Sequence, residues 1–186
     1  MGLDMYLSAI KFGANYKWST ANEKQTAELV SKAFGMEADT RATSVQVKMT
    51  IGYWRKANAV HAWFVKNTQN GVDECQTTSV TLEQLKALRS DCLQVINSVE
   101  MIDGRKYAGT TYYPDGRVVD SFVDGQIVAQ ETIASKILPT QSGCFFGNTN
   151  YDEDYIQDLK DTVAIIDKAL LLAESGSIYF EYNASW

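Results

Sequence analysis

The hydrophobic pattern changes period once, abruptly, between residues 44 and 67. Ser44 to Ile51, SVQVKMTI, sets Val45, Val47, Met49 and Ile51 against polar neighbours, the period-two signature of a half-buried strand. The following stretch, Gly52 to Asn67 (GYWRKANAVHAWFVKN), has helical spacing. Wound as a helix from Trp54 at about 100° per residue, it gathers Trp54, Ala57, Asn58, Val60, His61, Phe64 and Val65 on one side. Arg55, Lys56, Lys66 and Trp63 fall on the other, and Gly52 becomes the hinge. An apolar side that includes an Asn and the chain's one His must supply both with hydrogen-bond partners, because an unpaired buried polar group costs about 1–3 kcal/mol. The stretch is therefore either a core helix with two satisfied polar residues or one wall of a polar pocket completed by a guest.

A chain of 186 residues, 45% hydrophobic and 22% charged, with two Pro and 12 dispersed Gly, has the composition of an ordinary globular domain. The net charge of −6 argues against DNA or RNA backbone binding, which needs a basic surface. Arg55, Lys56 and Lys66 form a local basic patch, either a solvated helix face or a seat for a small anion. The three cysteines, Cys75, Cys92 and Cys144, are odd in number and widely spaced, as expected of reduced cytoplasmic thiols rather than a disulfide framework or zinc site. No secretory leader or membrane-spanning apolar run is apparent. Met1-Gly2 lacks the Ser or Thr of a myristoylation site, since Tyr6 stands there.

Leu3–Phe12 and Ser177–Asn183 read as strands that pair, bringing the two ends together and docking Trp186 on the body. Thr20 and Glu23 have capping-box spacing for a helix to Phe34, stopped by Gly35; Asp39–Thr43 is a loop. Asn70-Gly71 is a turn and Glu74–Val80 a short strand. Thr81 and Gln84 form a second box, opening a helix to Val99 with Leu85, Leu88, Cys92, Val95 and Val99 inward. Tyr-Tyr-Pro-Asp-Gly and Val-Asp-Gly predict two turns, hence a meander of Lys106–Tyr113, Arg117–Val123 and Gln126–Thr132. That meander is either an arm against a partner subunit or an extension of the sheet. Ile137–Asn148, with Phe145 and Phe146 between glycines, plugs the core or lines a pocket. Thr149 caps a long helix with core face Tyr155, Leu159, Thr162, Val163, Ile166, Leu170 and Ala173, ended by Gly176. The sum is one α+β domain over residues 1–186: a mostly antiparallel sheet, four helices and a β-meander insertion at 106–132.

No nucleophile elbow, dinucleotide fingerprint or phosphate loop is present, so no catalytic residue, cofactor or metal is expected. Asp152, Glu153, Asp154, Asp158 and Asp161 are either helix-start acids or, at i, i+3 and i+4, oxygen ligands for Mg²⁺ or Ca²⁺. His61 is open to three roles: satisfied core residue, ligand contact, or catalyst. Tyr53, Trp54, Phe145, Phe146, Tyr151 and Tyr155, with Arg55, Lys56, Asn58 and His61, are types suited to a purine-like ligand. Aromatic faces stack on bases, Arg forks phosphates and Asn pairs with a base edge.

The segments MGLDMYL, GYWRKANAVHAWFV, NGVDEC and LPTQSGCFFGNTNYDEDY, with a final SW, together resemble a family of small proteins encoded by phages and prophages. The likeness is weak between Trp18 and Thr43. Lys106–Thr132 departs from the shorter form, in which the second capping-box helix leads almost directly to LPTQ. The resemblance implies counter-defence in the cytoplasm of an infected bacterium. By analogy with sponges of the Lockin and Sequestin kind, it implies sequestration of a nucleotide-derived immune signal, such as the ADP-ribose derivatives of Thoeris or the cyclic nucleotides of CBASS. A homo-oligomer without catalysis is the expected form. The alternatives are a protein–protein inhibitor of a host enzyme and a signal-cleaving hydrolase.

Overall fold

The computed structural model describes residues 2–41 and 43–186. Met1, which opens MGLDMYL, and Ala42, in the expected Asp39–Thr43 loop, lie outside the described residues. In chain order the elements are β1 (Asp4–Ala14), α1 (Ala21–Ala33), β2 (Ser44–Arg55), α2 (Asn58–Thr68), β3 (Thr78–Val80), α3 (Leu82–Ser98), β4 (Met101–Tyr112), β5 (Val118–Val128), α4 (Thr132–Ile137), α5 (Glu153–Glu174) and β6 (Ile178–Ser185). This is an α+β fold. β2, β1, β6 and β3 form an antiparallel sheet in that order, and β4 and β5 form a separate two-stranded sheet. Among the described residues no helix is long and apolar enough to cross a membrane.

The two terminal strands pair as expected, from Asp4 opposite Ser185 to Lys11 opposite Ile178. Alternation then sorts the sheet's faces. Met5, Leu7, Trp54, Phe180, Tyr182 and Ala184 are buried in one hydrophobic core with α2, α3 and α5. The opposite face carries the Tyr53–Asp4 hydrogen bond (2.5 Å), the Tyr6–Tyr53 ring contact and the Lys48–Glu181 ion pair (2.8 Å). One dry face and one wet face is the usual arrangement of an antiparallel sheet. α3 and α5 bury their periodic stripes, Leu85, Leu88, Cys92 and Val95 on one, Tyr155, Leu159, Thr162, Ile166 and Ala169 on the other. Both expected capping boxes form, at Thr20/Glu23 and Thr81/Gln84.

Six expectations need correcting. Gly52 is not a hinge: β2 runs on through Tyr53, Trp54 and Arg55, and α2 begins only at Asn58. The glycine is there for space, since a Cβ on it would lie 2.3 Å from Ile165 Cγ2. The break falls instead at Lys56, whose φ is +62°. Trp63 is buried, not grouped with the cations, because its indole Nε1 donates to Asp91 of α3 at 2.9 Å. The meander is a two-stranded hairpin. Its tip turns at Tyr113–Arg117, with Gly116 at φ +85°, but Val-Asp-Gly stays extended, with Gly125 facing Gly104. Ile127 fills the room that glycine leaves, for a Cβ on Gly104 would meet it at 2.7 Å. Lastly, α5 is capped by Asp152 rather than Thr149, and the short α4 precedes Leu138 as a fifth helix. The Glu74–Val80 strand shrinks to Thr78–Val80.

Candidate functional site

The two polar side chains of α2 are already satisfied. His61 is fully buried, with Nδ1 2.7 Å from the Tyr182 hydroxyl and Nε2 2.9 Å from Asp73 Oδ2. A carboxylate has no proton to give, so Nε2 donates to Asp73, and in the neutral imidazole Nδ1 is then the acceptor from Tyr182. Burial, with Asp73 nearby, pushes the Tyr182 phenol well above its ordinary range and keeps it a neutral donor. Asn58 donates to the carbonyls of Phe146 (3.2 Å) and Asn148 (2.8 Å) and accepts from the Gln141 N–H (2.9 Å). It therefore pins the irregular 140–150 loop onto α2. The expectation that a guest completes these two residues is overturned, because the protein itself supplies their partners.

A cleft of about 710 Å³ opens instead beside the start of α2, within the ~300–1,000 Å³ range of small-molecule sites. Four segments wall it: Arg55 to Val60, Tyr107 to Tyr112 of the hairpin, the loop at Phe145, Gly147, Asn148 and Asn150, and Asp152 to Leu159 of α5. The hairpin is held over the site at two points. Val128 N–H donates to Tyr151 O at 2.9 Å, and Lys106 bridges Glu153 (2.6 Å) and Asp154 (3.1 Å). Those carboxylates push the Lys106 ammonium up to about 12.

The lining of the cleft carries both signs of charge. Arg55 and Lys56 border it, both exposed and neither in an ion pair among the described residues. Beside them the N-cap position of α2 is Ala57, whose methyl group cannot cap the helix. The N–H groups of Ala59 and Val60 find no acceptor among the described residues. An uncapped helix start with two adjacent cations favours an anion. Asp152, Asp154 and Asp158 also border the cleft. Asp152 is 1% exposed; its Oδ1 accepts from the Asp154 and Tyr155 N–H groups, while Oδ2 is buried without a partner. Burial raises its carboxyl despite those two donors. Burial also pushes Asp158 up to about 7, with Asp161, Asp154 and Asp152 adding repulsion. Among the described residues no three acidic, His or Cys side chains are arranged to hold a metal ion.

Of the ten residues singled out from the sequence, Arg55, Lys56, Asn58, Phe145 and Tyr155 line this cleft. The other five do not. Tyr53 lies on the sheet's wet face, bonded to Asp4. Trp54 is a core residue donating to Thr162 at 2.9 Å. His61 is sealed, and Phe146 packs edge-on against it. Tyr151 accepts from the Thr140 N–H at 3.2 Å and braces Tyr155. The sequence reading overlooked Tyr107, Asn148, Asp152 and Asp158 as lining residues. Asp158 left a trace: it adjoins Leu159 on the inward stripe of α5, an odd place for a helix-start acid.

The chain matches no family model, no curated protein and no solved structure.

Proposed function

We propose that this chain is a non-enzymatic binder of a nucleotide-derived small molecule, a phage counter-defence protein that sequesters an immune signal in the cytoplasm of its host. The observation that carries the reading is the mixed lining of the cleft. Exposed cations and an uncapped helix start suit phosphate. The carboxyl groups of Asp152, Asp154 and Asp158 suit the N–H groups of a base. The exposed ring of Phe145 and the phenol of Tyr107 line the same cleft as stacking surfaces. The phage resemblance supplies the biological setting. Binding rather than turnover is favoured because the lone His lies outside the cleft with both nitrogens engaged, and none of the three cysteines borders it.

Titration calorimetry against ADP-ribose derivatives and cyclic nucleotides tests the reading. It predicts saturable binding with the ligand recovered intact. Silence across the panel removes the proposal, and recovery of a cleaved product makes the protein a hydrolase, with Asp158 the foremost acid–base candidate.

The hairpin favours a second reading. Tyr112, Val118 and Phe122 are exposed on one face of it and Val119 and Val123 on the other, apolar surface fit for a second copy of this chain or for a host enzyme to be inhibited. Light scattering distinguishes a homo-oligomer from a monomer, and a Val119→Lys/Phe122→Lys pair should dissociate the former.

A further inference from the structure

We propose that two copies of this chain join along the outer edge of β2, strand to strand, across a twofold axis centred on Val47. β2 lies at one side of the four-stranded sheet and pairs only with β1. An edge strand bares a row of backbone N–H and C=O groups, and proteins blunt such edges by keeping them short, charged, bulged or covered. The opposite edge follows that rule, since β3 spans only Thr78–Val80. β2 runs from Ser44 to Arg55 without a proline. Among the described residues, no backbone group from Ser44 to Thr50 makes a backbone bond outside the β1 ladder.

The dry side of this stretch is uncovered as well. Met49 stands opposite Ala9 and Val47 opposite Lys11. Val45, Val47 and Met49 therefore continue the face on which Leu7 and Ala9 enter the core. Further along the strand Ile51 and Trp54 are buried, yet Val47 and Met49 are 38% and 50% exposed. They border an apolar groove of about 420 Å³ with Leu29 and Val30 of α1 and Leu172 of α5. The alternation of a half-buried strand is present, and one copy supplies no layer to bury it.

The strand's own symmetry identifies the occupant. Leu7 faces Gly52 and Ser8 faces Thr50, so Ile51 is the extra residue of a bulge. The regular ladder that remains is Ser44–Thr50, and Val47 is its midpoint. Two such stretches laid antiparallel with Val47 on Val47 set Val45 against Met49, Gln46 against Lys48 and Ser44 against Thr50. Apolar residues meet apolar ones on one face and polar residues meet polar ones on the other. Lys48 is the only charge in the stretch, and Glu181 of its own sheet neutralises it at 2.8 Å. An axis at Lys48 would oppose two ammonium groups, which destabilises a strand pair. An axis at Gln46 would carry Thr50 past the start of the partner strand. The twofold runs perpendicular to the sheet, so both grooves fall on the same face and adjoin. Each copy offers the same patch, and the contact closes at two. The cleft begins at Arg55, beyond the bulge, so this inference stands apart from nucleotide binding.

Light scattering and sedimentation of the full chain test it. Wild type should be a dimer at micromolar concentration. Val47→Lys and Val47→Glu should each weaken that dimer at least about tenfold, because each sets two like charges face to face at the axis. Thermal melts check that both variants fold, as an exposed position allows. Mixing the two variants should restore a dimer containing one of each, which requires position 47 of one copy to meet position 47 of the other. Val119→Lys/Phe122→Lys in the hairpin should leave the dimer intact. A monomeric wild type overturns the proposal and leaves the edge to an extended segment of another protein. So does a dimer that survives either charge, that the mixture fails to restore, or that the hairpin pair dissociates.

Discussion

Asp158 and His61 are both ionisable residues on helices that feed the core, and their surroundings differ. His61 has a partner on each nitrogen; Asp158 has burial and, after it, like charges, which together carry its carboxyl from 3.8 to about 7. The folded state therefore holds this proton more tightly than the unfolded chain does. Between about pH 4 and pH 7 folding takes up a proton, so this group's contribution to stability falls as pH rises through that window. Asp158→Asn should flatten the slope: thermal melts should show the variant gaining several degrees at pH 8 and little at pH 4. The cysteines offer a second check. Burial pushes the Cys92 thiol up to about 12, while Cys75 and Cys144 are exposed. A thiol reagent at pH 8 should modify two groups quickly and the third only on unfolding. Cys92 was readable as a core residue because its period in α3 is unbroken. For His61 the sequence exposed the need for partners but not their source. Tyr182 lies 121 positions away, and no local pattern joins the two.

Elements with their own punctuation were legible. Capping boxes announced α1 and α3, and the Pro-Asp-Gly turn announced the hairpin tip. What failed were glycines read as turns or hinges when they answer a steric demand. Gly52 lets β2 pass under Ile165, and Gly104 and Gly125 face each other within an unbroken ladder. Gly52→Ala should therefore cost about 1–3 kcal/mol, the usual cost of overpacking, measured as a lower urea midpoint. Ile165→Ala in the same chain should recover part of it. The hairpin's attachment is separable from its own ladder. Lys106→Met removes both ion pairs to α5 and should raise amide exchange at its inner end by a few fold, with the global unfolding midpoint shifted by less than about 1 kcal/mol.

The cleft belongs to the molecule as a whole. Its walls come from segments around residues 55–60, 107–112, 145–150 and 152–159, so half of the expected lining residues met there and half scattered into core and surface. Periodicity places a side chain on a face of its own element, and only packing decides which faces from distant elements share a space. The sheet has the same long-range character. β6 is an interior strand, flanked by β1 and β3, and it contributes Phe180 and Tyr182 to the core and the hydroxyl that His61 needs. Removing Ile178–Trp186 should abolish the cooperative melt altogether rather than trim stability. On a ribosome this ordering imposes a delay: a nascent chain has every helix available before the strand that closes its sheet has left the exit tunnel. Helices α1 to α5 must then wait beside an open edge of β1, where a holdase or a second nascent chain has its best opportunity to intervene.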